Sequence, residues 1–200
     1  MGHKLSQPKL LIVEGKDEVN LLSAILRRLE IADTDVVPFE GADSLRGFLK
    51  VIKELPNFES VVSLGIIRDA DQDAGRTLQS IQDSLTAAGL PTPAAPLSPA
   101  GTSPRVVILV NPHGRAVGAL EDVCLHAIRG DPAMACVDRY VDCLADLGAD
   151  LPRRPSKSRV HAFIASRDRP EVSLGVAALQ GYFPLDHEAF APIKQLISML

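Results

Sequence analysis

No apolar run in this 200-residue sequence approaches the ~20 residues that a membrane-spanning helix needs. The opening MGHKLSQPK lacks the apolar segment of a secretory signal, so a cytoplasmic protein without membrane contact is expected. No CxxC pair occurs. The three cysteines, Cys124, Cys136 and Cys143, are odd in number and widely spaced among apolar residues. This favours buried free thiols in a reducing compartment over a disulfide framework or a thiolate metal site. There is no internal repeat. "GKDEVN" lacks the upstream glycine and the K-[ST] pair of a phosphate-binding P-loop. The net charge of −4 gives no global pull toward polyanions, which leaves room only for a local basic patch.

What is present describes an ordinary globular chain, 46% apolar and 23% charged, long enough for one sizeable core or a domain with a small appendage. Residues 9–13, 35–39, 60–67 and 105–110 are short runs of apolar and β-branched residues and read as strands. Between them the apolar spacing turns helical. Leu22, Ile25, Leu26 and Leu29 mark a helix over 16–29, and Leu45, Phe48, Leu49 and Ile52 mark one over 42–55 that Pro56 ends. Leu78, Ile81 and Leu85 mark a third over 76–88, and Leu120, Val123, Cys124 and Ile128 a fourth over 119–129. After residue 130 only helices are predicted, at 133–147, 156–167, 174–180 and 187–199.

Strands that alternate with amphipathic helices predict an α/β fold. Its core would be a Rossmann-like sandwich on a central, mainly parallel four-stranded sheet covered on both faces. Residues 1–130 would form that domain and 131–200 a helical C-terminal extension packed on it. The segment 89–104, "GLPTPAAPLSPAGTSP", holds five of the fifteen prolines and reads as a stiff, exposed loop without a core of its own.

In such sheets, sites form beyond the carboxyl ends of the strands. The loops there are acidic: "VEGKDE" after the first strand, "RDADQDAG" after the third, and "GALEDV" shortly after the fourth. Clustered carboxylates repel one another, and a hard divalent ion with oxygen ligands relieves that repulsion. If the third-strand loop stays extended, Asp69, Asp71 and Asp73 share one side. A calcium loop of the EF-hand type is excluded, because its sixth and twelfth positions would be Ala74 and Ser80. Structural readings stand beside the functional ones. Asp73 suits a helix cap, Glu18 a solvated helix face, and Glu121 with Asp122 a first helical turn.

The order of these motifs resembles the Toprim domain of topoisomerases, primases and overcoming-lysogenization-defect (OLD) nucleases. That family carries a Glu-Gly after its first strand and an Asp-x-Asp after its third. The third acid is similar to the D-x-D-x-D of type II topoisomerases. Glu14 with Glu18 looks like the E-G-x-x-[DE] of the OLD branch, and "GALEDV" resembles that branch's later acid through Glu121. The resemblance implies Mg²⁺- or Mn²⁺-dependent phosphodiester hydrolysis on DNA or RNA. Glu14, Glu18, Asp69, Asp71, Asp73 and Glu121 would be the candidate metal ligands, Glu14 also a general acid or base, and Lys157 a catalytic cation. With only Tyr140 and Tyr182 in the chain, a topoisomerase tyrosine module is absent.

Between Arg153 and Arg169 stand six Lys/Arg and one acid, against fifteen bases and twenty-four acids elsewhere. Arg153, Arg154 and Arg159, with Lys16 and Arg68, are therefore candidate phosphate contacts. A solvated helix face explains the same run, and no aromatic interleaving supports base stacking. The alternative function is a non-catalytic Toprim module that binds metal or nucleic acid as a subunit of a defence or repair system; a protein partner or a homodimer is compatible with either reading. Hydrolysis of a small phosphorylated ligand is a third possibility.

Overall fold

The computed structural model describes residues 5–39, 45–149 and 154–200. The four apolar runs become β1 (Lys9–Val13), β2 (Thr34–Pro38), β3 (Ser63–Asp69) and β4 (Arg105–Asn111). They form one sheet in the order β2-β1-β3-β4. All three pairings are parallel, so the sheet is wholly rather than mainly parallel. The helices that follow these strands are α1 (Lys16–Arg28), α2 (Leu45–Lys53), α3 (Ala74–Ala87) and α4 (Leu120–Ile128). The last third supplies α5 (Met134–Asp146), α6 (Pro155–Ala165), α7 (Leu174–Leu179) and α8 (Ala191–Ser198). The chain is an α/β sandwich of the Rossmann-like kind.

Strand alternation divides the core in two. Leu10 and Ile12 of β1 join Leu64, Ile66, Val106 and Ile108 under α2 and α3. Leu11 and Val13 face the other way, with Ile67, Val107 and Leu109, beneath α1 and α4. The helical extension does not close on a core of its own. Phe163 and Ile164 of α6, Ala177 and Ala178 of α7, and Ile193 and Leu196 of α8 all enter this second cluster. Helix α7 packs on α1 at close range. A Cβ on Gly175 would lie 2.5 Å from the Asp17 carbonyl oxygen, so only glycine permits the approach. The Ser63 hydroxyl of β3 donates to the Leu200 carbonyl at 2.8 Å, which ties the end of the extension to the start of a central strand.

Two expectations change. The proline-rich segment is not a bare exposed loop. Leu97 N–H donates to Ile108 O, and Ala100 exchanges two backbone hydrogen bonds with Val106, so the segment lies along the outer edge of β4. Its leading Leu90 is buried. An open strand edge invites pairing with other chains, and this strap covers one. The cysteines divide as well. Cys124 is buried, where burial pushes its thiol well up, but Cys136 and Cys143 are exposed on α5.

Candidate functional site

Parallel strands deliver their carboxyl ends to one rim. At that rim β1 stops at Val13, leaving Glu14 and an extended Gly15 before α1 begins at Lys16. On the adjacent strand, β3 ends at Asp69. Helix α4 begins nearby, with Glu121 in its first turn. Glu14, Glu18, Asp69, Asp71 and Glu121 line a single cleft of about 690 Å³. Segments 55 residues apart in sequence therefore meet. The extension supplies the opposite wall, with Arg154 and Lys157 from the start of α6 and Ser173 and Leu174 from the start of α7.

The loop after β3 is not extended. Asp71 takes a left-handed backbone (φ 48°), uncommon for a residue other than glycine. It is held there by a reciprocal pair of backbone hydrogen bonds with Gly118, 2.8 and 3.0 Å long. Gly118 itself has φ 134°, and a Cβ on it would meet Pro112 Cδ at 2.7 Å. The clip binds the loop after β4 to the loop after β3 and turns the chain between Asp71 and Asp73. Asp73 consequently leaves the cleft. It caps α3, accepting from Arg76 N–H at 3.0 Å and pairing with the Arg76 guanidinium at 3.3 Å. Its expected place in a carboxylate row is corrected to a helix cap.

The cleft is electrostatically strained. Burial, then the Glu18 carboxylate, push the Asp69 carboxyl up to about 8, with Glu14 and Glu121 adding to the rise and the Leu120 backbone N–H opposing it. Glu18 is likewise raised, first by burial and then by the neighbouring Asp17, Glu14 and Glu121. A site that holds carboxylates together at this cost is chemically suited to a hard cation, which would reverse both effects. Among the described residues, no group of three or more His, Cys, Asp or Glu side chains is so gathered that it could hold a metal ion as it stands. The donors are carboxylate oxygens of the kind a hard cation takes, but as placed they do not gather round one point.

Arg68 is the largest departure from the sequence reading. It was expected to touch nucleic acid, but it is only 6% exposed. It lies one position from Asp69 on β3 and so points to the opposite face of the sheet. There its Nε donates to Glu14 Oε1 at 2.7 Å, its Nη1 reaches Ser80 Oγ at 3.4 Å, and its guanidinium lies 5.8 Å from the centre of the Phe39 ring. A group so enclosed positions Glu14 and cannot meet a phosphate. Lys16, Arg154 and Lys157 do line the cleft. Arg159 does not. It pairs with Asp138 at 3.4 Å in a neighbouring groove. Arg153 lies outside the described residues.

A family model described as "Protein of unknown function (DUF3226)" matches residues 8–200. The chain belongs to the DUF3226 family. The match runs through the sheet and the helical extension alike, as the walls of the cleft do. No curated protein and no solved structure matches.

Two aspartates outside the predicted ligand set hold the DUF3226 cleft together. Asp17 Oδ1 accepts from Ser173 Oγ at 2.6 Å and from Gly175 N–H at 2.9 Å, capping α7 from across the chain. Asp122 accepts from Ala119 N–H at 2.8 Å with one oxygen and from Ser156 Oγ at 2.7 Å with the other. That second bond fixes the first turn of α6, and so Lys157, against α4. Asp17 lay inside the acidic motif and carried a visible signal. Ser156 and Ser173 carried none.

Proposed function

We propose that this cleft hydrolyses a phosphodiester bond of DNA or RNA with the help of Mg²⁺ or Mn²⁺, and that the chain is a Toprim-like nuclease acting in the cytoplasm. One observation carries the reading: six carboxylates from three separate segments share a cleft with two cations from the extension. Asp69, Asp71, Glu18 and Glu121 would hold the ion through their oxygens. When bound, the ion would supply Lewis-acid polarisation of a phosphoryl oxygen and activation of water. Glu14, anchored through Oε1 by Arg68, keeps its second oxygen free to take a proton from an attacking water. Lys157 and Arg154 face the carboxylates across the cleft, where a cation neutralises charge that builds on the phosphate oxygens and the leaving group.

A second reading has its own support. The Glu14–Arg68 pair and a donor set not gathered round one point also suit a module that binds metal or nucleic acid without catalysis. One experiment separates the two. Purified chain is incubated with plasmid, single-stranded DNA and RNA in Mg²⁺ or Mn²⁺, beside Asp71→Ala and Glu14→Ala. The nuclease reading expects cleavage by the wild type and its loss in both variants while nucleic-acid binding persists. An uncut substrate at every pH and metal concentration removes the nuclease reading and leaves the binding module.

A further inference from the structure

A polyanion is poorly received by the carboxylate cleft alone. Its lining holds six acids (Glu14, Asp17, Glu18, Asp69, Asp71, Glu121) against three bases (Lys16, Arg154, Lys157). One or two bound ions would offset the charge at the reacting phosphate but not at its neighbours along the strand. Those phosphates need fixed cations nearby.

A second cleft, of about 510 Å³, begins where the first ends. The two share walls. The first turn of α4 gives Glu121 to one and Asp122 to the other, and α6 gives Lys157 to one and Arg159 to the other. The second cleft then follows one face of α4 through Asp122, His126 and Arg129, with Arg115 also in its lining. Its two acids are already engaged. Both oxygens of Asp122 accept hydrogen bonds, and Asp138 is paired with Arg159. Arg115 and Arg129 are exposed, and among the described residues neither guanidinium has an ion-pair or hydrogen-bond partner. The balance of uncommitted charge in this groove is positive, the reverse of the cleft beside it.

We infer that the groove along α4 is the path by which a nucleic-acid strand leaves the carboxylate cleft, with Arg115 and Arg129 as its phosphate contacts. This rests on the phosphodiester reading above and adds to it a direction and a footprint. From Glu121 to Arg129 the helix rises about 12 Å, the axial length of three or four nucleotides at about 3.4 Å each. The contacts go to the backbone, so binding along the groove is indifferent to base sequence.

The test uses the full chain and a labelled 20-nucleotide single strand and 20-base-pair duplex. Binding is followed by fluorescence anisotropy between 50 and 200 mM salt, for the wild type and the Arg115→Ala/Arg129→Ala double variant. Both side chains are exposed, so the variant should melt at the wild-type temperature, and Mn²⁺ affinity checks that the carboxylate cleft is intact. The double variant should bind at least about fivefold more weakly at low salt. Its plot of log affinity against log salt should be shallower by about 1.4 for the single strand or about 1.8 for the duplex, the contribution of two phosphate contacts. Wild-type binding with unchanged affinity and slope in the variant overturns the groove and leaves the nuclease reading in place. A wild type with no salt-dependent binding to either probe overturns both.

Discussion

Replacing Asp69 with Asn should stabilise the metal-free protein, and the size of the gain should depend on pH in a defined way. A carboxyl raised from 3.8 to about 8 in the folded chain keeps its proton where the unfolded chain has lost it. Below pH 4 it is protonated in both states and costs nothing. As pH climbs from 4 to 8 the folded state loses stability steadily, and above 8 the loss is complete. At about 1.4 kcal/mol for each tenfold change in proton affinity, the interval sets a ceiling of about 6 kcal/mol. Water at the mouth of the cleft and side-chain relaxation lower this to about 2–3 kcal/mol. Asn keeps an oxygen for the Leu120 N–H and carries no charge. In EDTA at pH 8 to 9, Asp69→Asn should therefore melt about 4–12 °C above the wild type for a chain of this size. The difference should shrink toward zero as pH falls to 4. Adding Mn²⁺ should raise the wild-type midpoint by mass action and leave the variant unmoved. The assay is thermal unfolding by circular dichroism across that pH range, with and without metal. A variant less stable than the wild type at pH 8 in EDTA, or a difference that ignores pH, would refute the picture of a carboxylate held in strain for a cation.

Two other predictions follow from named contacts. Arg68→Met leaves Glu14 facing a gap in a largely enclosed setting and should cost about 3–5 kcal/mol in urea unfolding, whereas Arg68→Met/Glu14→Gln should recover most of that loss. Asp122→Ala releases Ser156 and the first turn of α6, so turnover should fall by about tenfold or more through misplaced Lys157, with Mn²⁺ affinity within twofold of the wild type. Single-turnover cleavage and metal titration, run on the same preparation, check the split.

Much of the sheet was legible because β1, β3 and β4 are buried on both faces and read as largely apolar runs, while the helices between the strands keep a 3.6-residue stripe. The rim followed from that order, which is why Glu14, Asp69, Asp71 and Glu121 were found together. What escaped depended on contacts between distant residues. Asp73 was read both as a helix cap and, on the assumption of an extended loop, as one of the carboxylate row, and only the cap is observed. The turn that removes it is imposed by Gly118, 47 positions beyond Asp71, and no local pattern announces it. Arg68 was legible in principle. It stands two residues after Ile66 on the same strand face, and that face is core, so alternation alone would have sent it inward. The proline-rich segment was misjudged because composition reports stiffness and exposure, not the backbone hydrogen bonds that a neighbouring strand edge can offer.

The two walls of the cleft are far apart in order of synthesis. A ribosome delivers Glu14 through Asp71 first, and Arg154 through Leu174 only after roughly a hundred further residues, a delay of about 5–20 s at ordinary elongation rates. During that interval the growing polypeptide carries an acidic rim with no facing bases, and the flank of α1 that will receive α7 stands bare. Phosphodiester chemistry of the kind proposed would be dormant until then, so that incomplete translation products would be harmless to the nucleic acid around them.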